Sequence, residues 1–177
     1  LARNCFDNRG GGIYKSTDNG KTWITVGFDS QQPDYFGLWI DPNNGQTIYV
    51  SLRDGKLWVT HDGGETWNDT GQGRCKTVVF DPVDPTITYC IEEDKRVINT
   101  NNGGINWSVV VEPNIGGLNT LAVSPQDNNT MLLGTWGLSV SNDGGKTWKM
   151  QGSGLGGRRI DLYLDPNNPS ILYAQDT

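Results

Sequence analysis

One octapeptide pattern occurs four times along the chain, and its period constrains the fold more tightly than any other feature. Ser16-Thr17-Asp18-Asn19-Gly20-Lys21-Thr22-Trp23 returns as Thr60-His61-Asp62-Gly63-Gly64-Glu65-Thr66-Trp67, then as Thr100-Asn101-Asn102-Gly103-Gly104-Ile105-Asn106-Trp107. The fourth copy is Ser141-Asn142-Asp143-Gly144-Gly145-Lys146-Thr147-Trp148. Successive copies start 44, 40 and 41 residues apart. A second marker keeps step with the first: Asp41-Pro42, Asp81-Pro82, Ser124-Pro125 and Asp165-Pro166 follow at spacings of 40, 43 and 41. Two independent markers with one period of this length denote an array of like structural units.

Each unit holds four short strand candidates punctuated by glycine and proline. In the second unit these are Tyr35 to Ile40, Thr47 to Leu52, Lys56 to Thr60 and Thr66 to Asn68. Glycine makes up 24 of the 177 residues, about twice the usual share of roughly 7%, which disfavours helices and suits tight turns. Four strands in about 41 residues match one antiparallel blade of a β-propeller. An open β-solenoid is the alternative, although its repeats are usually shorter. The expectation is an all-β chain of about four four-stranded blades, with units at 1–34, 35–75, 76–117 and 118–158 and a partial one at 159–177.

The octapeptide has a physical reading that needs no ligand. Glycine supplies the positive φ of a tight hairpin, the Asp carboxylate accepts backbone N–H groups, and the Ser or Thr ahead of it bonds locally. The closing tryptophans, Trp23, Trp67, Trp107 and Trp148, are expected to fold back over the hairpin and pack between sheets. Asn102 stands where Asp18, Asp62 and Asp143 stand in the other copies, and its amide oxygen can still accept the turn bonds.

The pattern S/T-x-D-x-G-x-T-W resembles the Asp-box, also called the bacterial neuraminidase repeat. That repeat is found in sialidases, in xyloglucan-degrading glycoside hydrolases, in sortilin-type receptors and in propeller-type photosystem II assembly factors. The element Asp81-Pro82-Val83-Asp84-Pro85-Thr86-Ile87-Thr88-Tyr89, echoed at Asp165-Pro166 to Tyr173, is most similar to the xyloglucanase and sortilin branches. The resemblance implies a propeller in which the box is a structural hairpin lying away from the active face. It implies an extracellular or cell-surface setting.

Other features narrow the function. The longest apolar runs fall far short of the roughly 20 residues a membrane helix needs. With 14 Lys+Arg against 20 Asp+Glu, the net charge of −6 opposes nucleic-acid binding. His61 is the sole histidine and no C-x-x-C spacing occurs, so neither a metal nor a cofactor is expected. Cys5, Cys75 and Cys90 leave one disulfide or three buried thiols open. Sequons at Asn68, Asn106 and Asn128 are no more than such an Asn-rich, Thr-rich chain produces by chance. The chain begins Leu1-Ala2-Arg3 and reads as a mature form or an excised segment.

In an up-and-down blade the Asp-Pro turns and the Asp-boxes share one face, so ligands are expected on the opposite face. The loops there are Asp7 to Gly11, Arg53 to Gly55, Glu92 to Arg96 and Thr135 to Gly137 within blades, and Phe28 to Tyr35, Gly71 to Lys76, Glu112 to Asn119 and Gly152 to Arg159 between them. Two readings follow. As a binding or scaffold module, the face would take a glycan or protein through Tyr35, Phe36, Trp39, Trp136, Glu92, Glu93, Arg158 and Arg159. As part of a glycoside hydrolase acting on β-glucan or xyloglucan, it would use paired carboxylates, for which Asp34, Glu92, Glu93 and Asp161 are the candidates, Asp34 and Asp161 first among them. The arginine triad and F/Y-R-I-P element of sialidases are not matched; Arg158-Arg159-Ile160-Asp161 is a faint echo. Ligand or partner binding without catalysis is the expected function. Asp-box families characteristically use six or more blades, so four units suggest a segment of a larger propeller or a ring completed by oligomerisation.

Overall fold

The computed structural model describes residues 12–28, 35–93, 96–111, 117–151, 155, 160–165, 168 and 171–176. Among them there is no helix, and sixteen strands follow one another. They are β1 (Ile13–Lys15), β2 (Ile24–Gly27), β3 (Tyr35–Ile40), β4 (Ile48–Leu52), β5 (Leu57–Thr60), β6 (Asn68–Asp69), β7 (Cys75–Phe80) and β8 (Thr88–Glu92). The rest are β9 (Val97–Thr100), β10 (Ser108–Val111), β11 (Thr120–Val123), β12 (Met131–Gly134), β13 (Leu138–Ser141), β14 (Lys149–Gln151), β15 (Ile160–Leu164) and β16 (Leu172–Asp176). The strands pair in chain order into four-stranded antiparallel sheets β3–β6, β7–β10 and β11–β14, flanked by two-stranded sheets β1–β2 and β15–β16.

Contacts divide the chain into two compact units, Leu1–Arg74 and Cys75–Thr177. In the first, Ile13, Ile48, Val50 and Leu52 form the core, with Phe28, Trp58 and Trp67 packed against it. Phe28 meets Trp58 edge-on at 5.5 Å and Trp67 at 5.1 Å between ring centroids. In the second unit the first strands of successive sheets adjoin, β11 lying against both β7 and β15. Its core runs from Tyr89 and Ile91 through Leu118 and Leu121 to Met131 and Leu133.

Burial follows strand rank within a blade. The second strands β4 and β8 are buried at every position, whereas the fourth strands β6 and β14 are exposed throughout. A strand covered on both faces must be apolar along its length rather than alternating, which is why Ile48-Tyr49-Val50 and Tyr89-Cys90-Ile91 read as unbroken runs.

Three local expectations need revision or resolution. The fourth strand of the second blade starts at Asn68, not Thr66, because Thr66 spends its N–H and hydroxyl on the Asp62 carboxylate at 2.9 and 2.5 Å. Trp23 does not pack between sheets. It is 61% exposed and donates its indole N–H to Gly20 O within its own hairpin. Cys75 and Cys90 form a disulfide between β7 and β8 with Cα atoms 5.7 Å apart, which settles the cysteine alternatives for that pair; Cys5 lies outside the described residues.

Candidate ligand-binding face

The turn face is built by one set of bonds used repeatedly. In the first Asp-box Ser16 Oγ donates to Asp18 Oδ1 at 2.8 Å and accepts the Gly20 N–H at 2.8 Å. Asp18 then accepts both the N–H and the hydroxyl of Thr22. The same bonds recur around Asp62 and Asp143. Hydrogen bonds, first those from the Thr hydroxyls of the box, hold the Asp18 and Asp143 carboxyls down at about 2 and place Asp62 well below the usual range. In the third box Asn102 Oδ1 accepts from Thr100 Oγ1 and from the Asn106 N–H, both at 2.9 Å.

In the second and fourth units the box hairpin leans on the proline turn of its own blade: Gly63 donates to Gln46 O and Gly144 to Asn129 O, each at 2.9 Å. Asp81 is fully buried and accepts the N–H groups of Val83 and Asp84, while Tyr89 donates its hydroxyl to the other carboxylate oxygen at 3.3 Å. Burial and the Asp81 charge raise the Tyr89 phenol above its ordinary range. This explains the D-P-x-x-P-x-x-x-Y spacing. Eight of the 20 acidic residues, Asp18, Asp41, Asp62, Asp81, Asp84, Asp127, Asp143 and Asp165, accept backbone N–H groups on this face. Much of the acidic excess is therefore turn chemistry.

The opposite face varies from blade to blade. In the first unit Lys56 pairs with Asp69 at 2.8 Å and stands 5.5 Å from the centre of the Trp58 ring, while Arg74 donates to Arg53 O at 3.0 Å. Trp39 lies on β3 opposite Tyr49, half-buried, with its ring over Gly37. Tyr35 opens the same strand opposite Leu52. Asp34, Arg158 and Arg159 lie outside the described residues.

The second unit brings several candidates into one region. Asp161 on β15 accepts a hydrogen bond from Asn119 Nδ2, and Lys76 Nζ on β7 donates to Asn119 Oδ1 at 2.6 Å. The result is a chain of ammonium, amide and carboxylate across three adjoining strand starts. Trp136 forms the tip of the β12–β13 turn, which is closed by the Thr135 N–H and hydroxyl donating to Gly137 O at 2.8 and 3.0 Å. Its indole lies over Gly117, two residues ahead of Asn119, and is 68% exposed. Gly117 has φ +77, and any side chain there would enter the space the indole occupies. Glu92 is buried and ion-paired with Arg96 at 2.6 Å across the β8–β9 hairpin, and Glu93 is exposed beside it.

Sequence reading placed Lys76 and Asn119 at the ends of inter-blade loops on this face without singling them out. Both stand five positions before their turn marker, Asp81 and Ser124, and Asp161 stands four before Asp165. Counting back from the turns aligns Lys76 with Asn119 and falls one residue short of Asp161.

The BNR/Asp-box repeat family model matches residues 58–69 and 139–150, the second and fourth boxes. Among solved structures, the GH74 xyloglucanase from Xanthomonas campestris superposes with a TM-score of 0.67 at 16% identity, covering 87% of this chain and 29% of that one. The chain carries BNR/Asp-box repeats in a β-propeller fold similar to that of GH74 proteins. The GH74 enzyme from Niastella koreensis gives 0.63 at 20% identity, over 80% of this propeller chain and 26% of that one. YCF48 bound to D1 peptide gives 0.57 at 17% identity, over 81% and 50%. The propeller chain thus spans half or less of the length of each of these structures. No curated protein sequence matches it.

Proposed function

We propose that this chain is a non-catalytic binding module of an extracellular or cell-surface protein, taking a glycan or protein ligand on the face opposite its Asp-boxes. The observation that carries this reading is the employment of the two best-described candidate carboxylates. Asp161 is tied to the Asn119 amide and Glu92 to the Arg96 guanidinium. A glycosidase needs one carboxyl to deliver a proton and another to attack or to activate water. Asp161 and Glu92 are each engaged by a neighbouring side chain, an arrangement that suits the positioning of polar groups around a ligand. The exposed Trp136, held on a rigid three-residue turn, supplies a contact surface of the kind found at binding sites.

The two kinds of structural neighbour support a ligand face from different directions. One is a xyloglucanase and the other is a protein bound to a peptide. The second reading, a segment of a β-glucan or xyloglucan hydrolase, draws on the first of them. Incubation with xyloglucan, mixed-linkage β-glucan and sialosides separates the two. Saturable retention of a ligand with no release of reducing ends is expected. Turnover lost on Asp161→Asn would overturn the binding-module reading.

A further inference from the structure

We infer that the two end sheets are halves of one blade, and that β16 of one copy takes β1 of a second copy of this chain on its free edge, so that two chains close one eight-bladed ring. The complete blades supply the standard of comparison, because the same strand positions recur in them. Tyr49, Tyr89 and Tyr173 each stand eight residues after an Asp-Pro marker, on the second strand of their sheet. Tyr49 and Tyr89 are 0% and 4% exposed, whereas Tyr173 is 60% exposed. The first two lie on strands paired along both edges, β4 between β3 and β5 and β8 between β7 and β9. Among the described residues β16 pairs with β15 alone.

The first Asp-box lacks cover in the same way. Gly64 of the second box packs on Val26 of the sheet before it, and Gly145 of the fourth box packs on Val110, so that a Cβ at either glycine would stand 2.8 or 2.5 Å from that valine. Gly20 is the matching residue of the first box, and among the described residues it meets only its own Trp23. Trp67, Trp107 and Trp148 are half-buried, while Trp23 is 61% exposed. An Asp-box joins β1 to β2, as it joins β5 to β6, β9 to β10 and β13 to β14, so β1 and β2 are the third and fourth strands of a blade. The Asp165-Pro166 turn joins β15 to β16, which makes them a first and a second strand. Each end sheet holds what the other lacks.

The complete blades also fix the register of the junction. In each, the seventh residue after the turn marker pairs with the first residue of the box: Ile48 with Thr60, Thr88 with Thr100 and Met131 with Ser141. The same rule sets Leu172 against Ser16, Tyr173 against Lys15, Ala174 against Tyr14 and Gln175 against Ile13 of the second copy. Asp161 is the partner of Gln175 across β15 and β16, so the second copy completes the blade that carries this loop-face carboxylate.

The number of copies follows from the blade count. Three complete sheets and two halves amount to four blades per chain, and within one chain the halves remain separate two-stranded sheets. Propellers hold about four to eight blades, so eight is the one ring that several copies can build. Tyr14, Tyr163, Ile171 and Tyr173 are between 40% and 60% exposed. With roughly 200 Å² for a large side chain, covering them removes about 400 Å² per junction and about 800 Å² over the two junctions of the ring. The strand backbones add to this and bring the total into the range of stable interfaces, about 1,200–2,000 Å². Closure also removes two open strand edges, which are otherwise sites of aggregation.

The test uses the 177-residue chain. Sedimentation equilibrium should give a particle of two copies, twice the 19.4 kDa of one chain, and hydrogen exchange should show the β16 amides protected like those of β8. Tyr173→Lys puts a charge on β16 and Tyr14→Lys puts one on β1, a substitution that blocks strand pairing at an edge. Each variant is expected to be a monomer. Each should also speed exchange of the β16 amides by about tenfold or more, although Tyr14 lies in the other end sheet. Mixing the two variants should restore a two-copy particle held by one junction, because each supplies the edge that the other has lost. Near-ultraviolet circular dichroism and thermal unfolding check that the complete sheets of each variant are intact. A wild-type chain that stays monomeric at every concentration overturns the inference, whether its end sheets remain open or close on each other. Assembly beyond two copies also overturns it, since the ring would not have closed. So does a dimer that survives Tyr14→Lys, in which β16 would pair with its own counterpart edge to edge. The ligand-face reading stands in all three cases.

Discussion

The two faces of the propeller blades follow opposite rules. On the turn face the same bonds are made in every Asp-box: a Ser or Thr hydroxyl, an Asp or Asn oxygen and two positive-φ residues close it, Asn19-Gly20 in the first box and paired glycines in the other three. On the loop face Lys56 with Asp69, Glu92 with Arg96, and Lys76 with Asn119 and Asp161 are three different solutions in three places. The difference shows where sequence freedom lies. A hairpin with positive-φ glycines and buried N–H groups admits few residue types, while a loop over a finished sheet admits many. The repeated face carries the fold, and the varied face is the one proposed for recognition.

The comparison breaks most severely at Asp81. Asp81→Ala leaves the Val83 and Asp84 N–H groups and the Tyr89 hydroxyl without their acceptor in a buried place, and a loss of about 3 kcal/mol is expected by urea unfolding. Next comes Gly64→Ala. Its φ of +97 disfavours a side chain, and a Cβ would stand 2.8 Å from Val26 Cβ, so about 2 kcal/mol should be lost in the same measurement.

The third box sharpens the comparison in the other direction. Restoring the common box with Asn102→Asp and Asn106→Thr together should gain about 0.5 kcal/mol at neutral pH. The gain should be acid-labile. Asp18 and Asp143 have folded-state values of about 2 against 3.8 for an unperturbed Asp. A depressed carboxyl stabilises the fold above the unfolded value and loses that contribution as pH falls through the folded one. Stability should therefore decline between about pH 4 and pH 2, more steeply in the restored variant, as read from the unfolding midpoint against pH. The smallest effect belongs to the loop face: Trp136→Ala, at a site 68% exposed, should change stability by no more than about 0.5 kcal/mol while removing ligand contact.

Much of this was legible in the residues. The period set the blades, the glycines set the hairpins, and the Asp-Pro element announced the turn that Asp81 and Tyr89 close. Two points went beyond that reading. Trp67 sends its indole N–H to Val26 O at 2.8 Å, 41 positions away, whereas Trp23, Trp107 and Trp148 bond within their own boxes. All four sit in like sequence, so only the surface each meets distinguishes them. The Lys76, Asn119 and Asp161 row was equally hidden, because its members are 43 and 42 residues apart and stand at or just ahead of the starts of three separate strands.

By itself the sequence determined everything that depends on short range: a φ only glycine adopts freely, a carboxylate four residues from the N–H it accepts, a proline that stops a strand. Those constraints, repeated at a fixed period, are enough to specify a blade and to predict its neighbours. Tertiary structure alone decided which strand starts stand side by side, which cysteines meet, and which tryptophan faces water, because each of those is set by the pairing of strands or the packing of one sheet against the next and not by the residues flanking it.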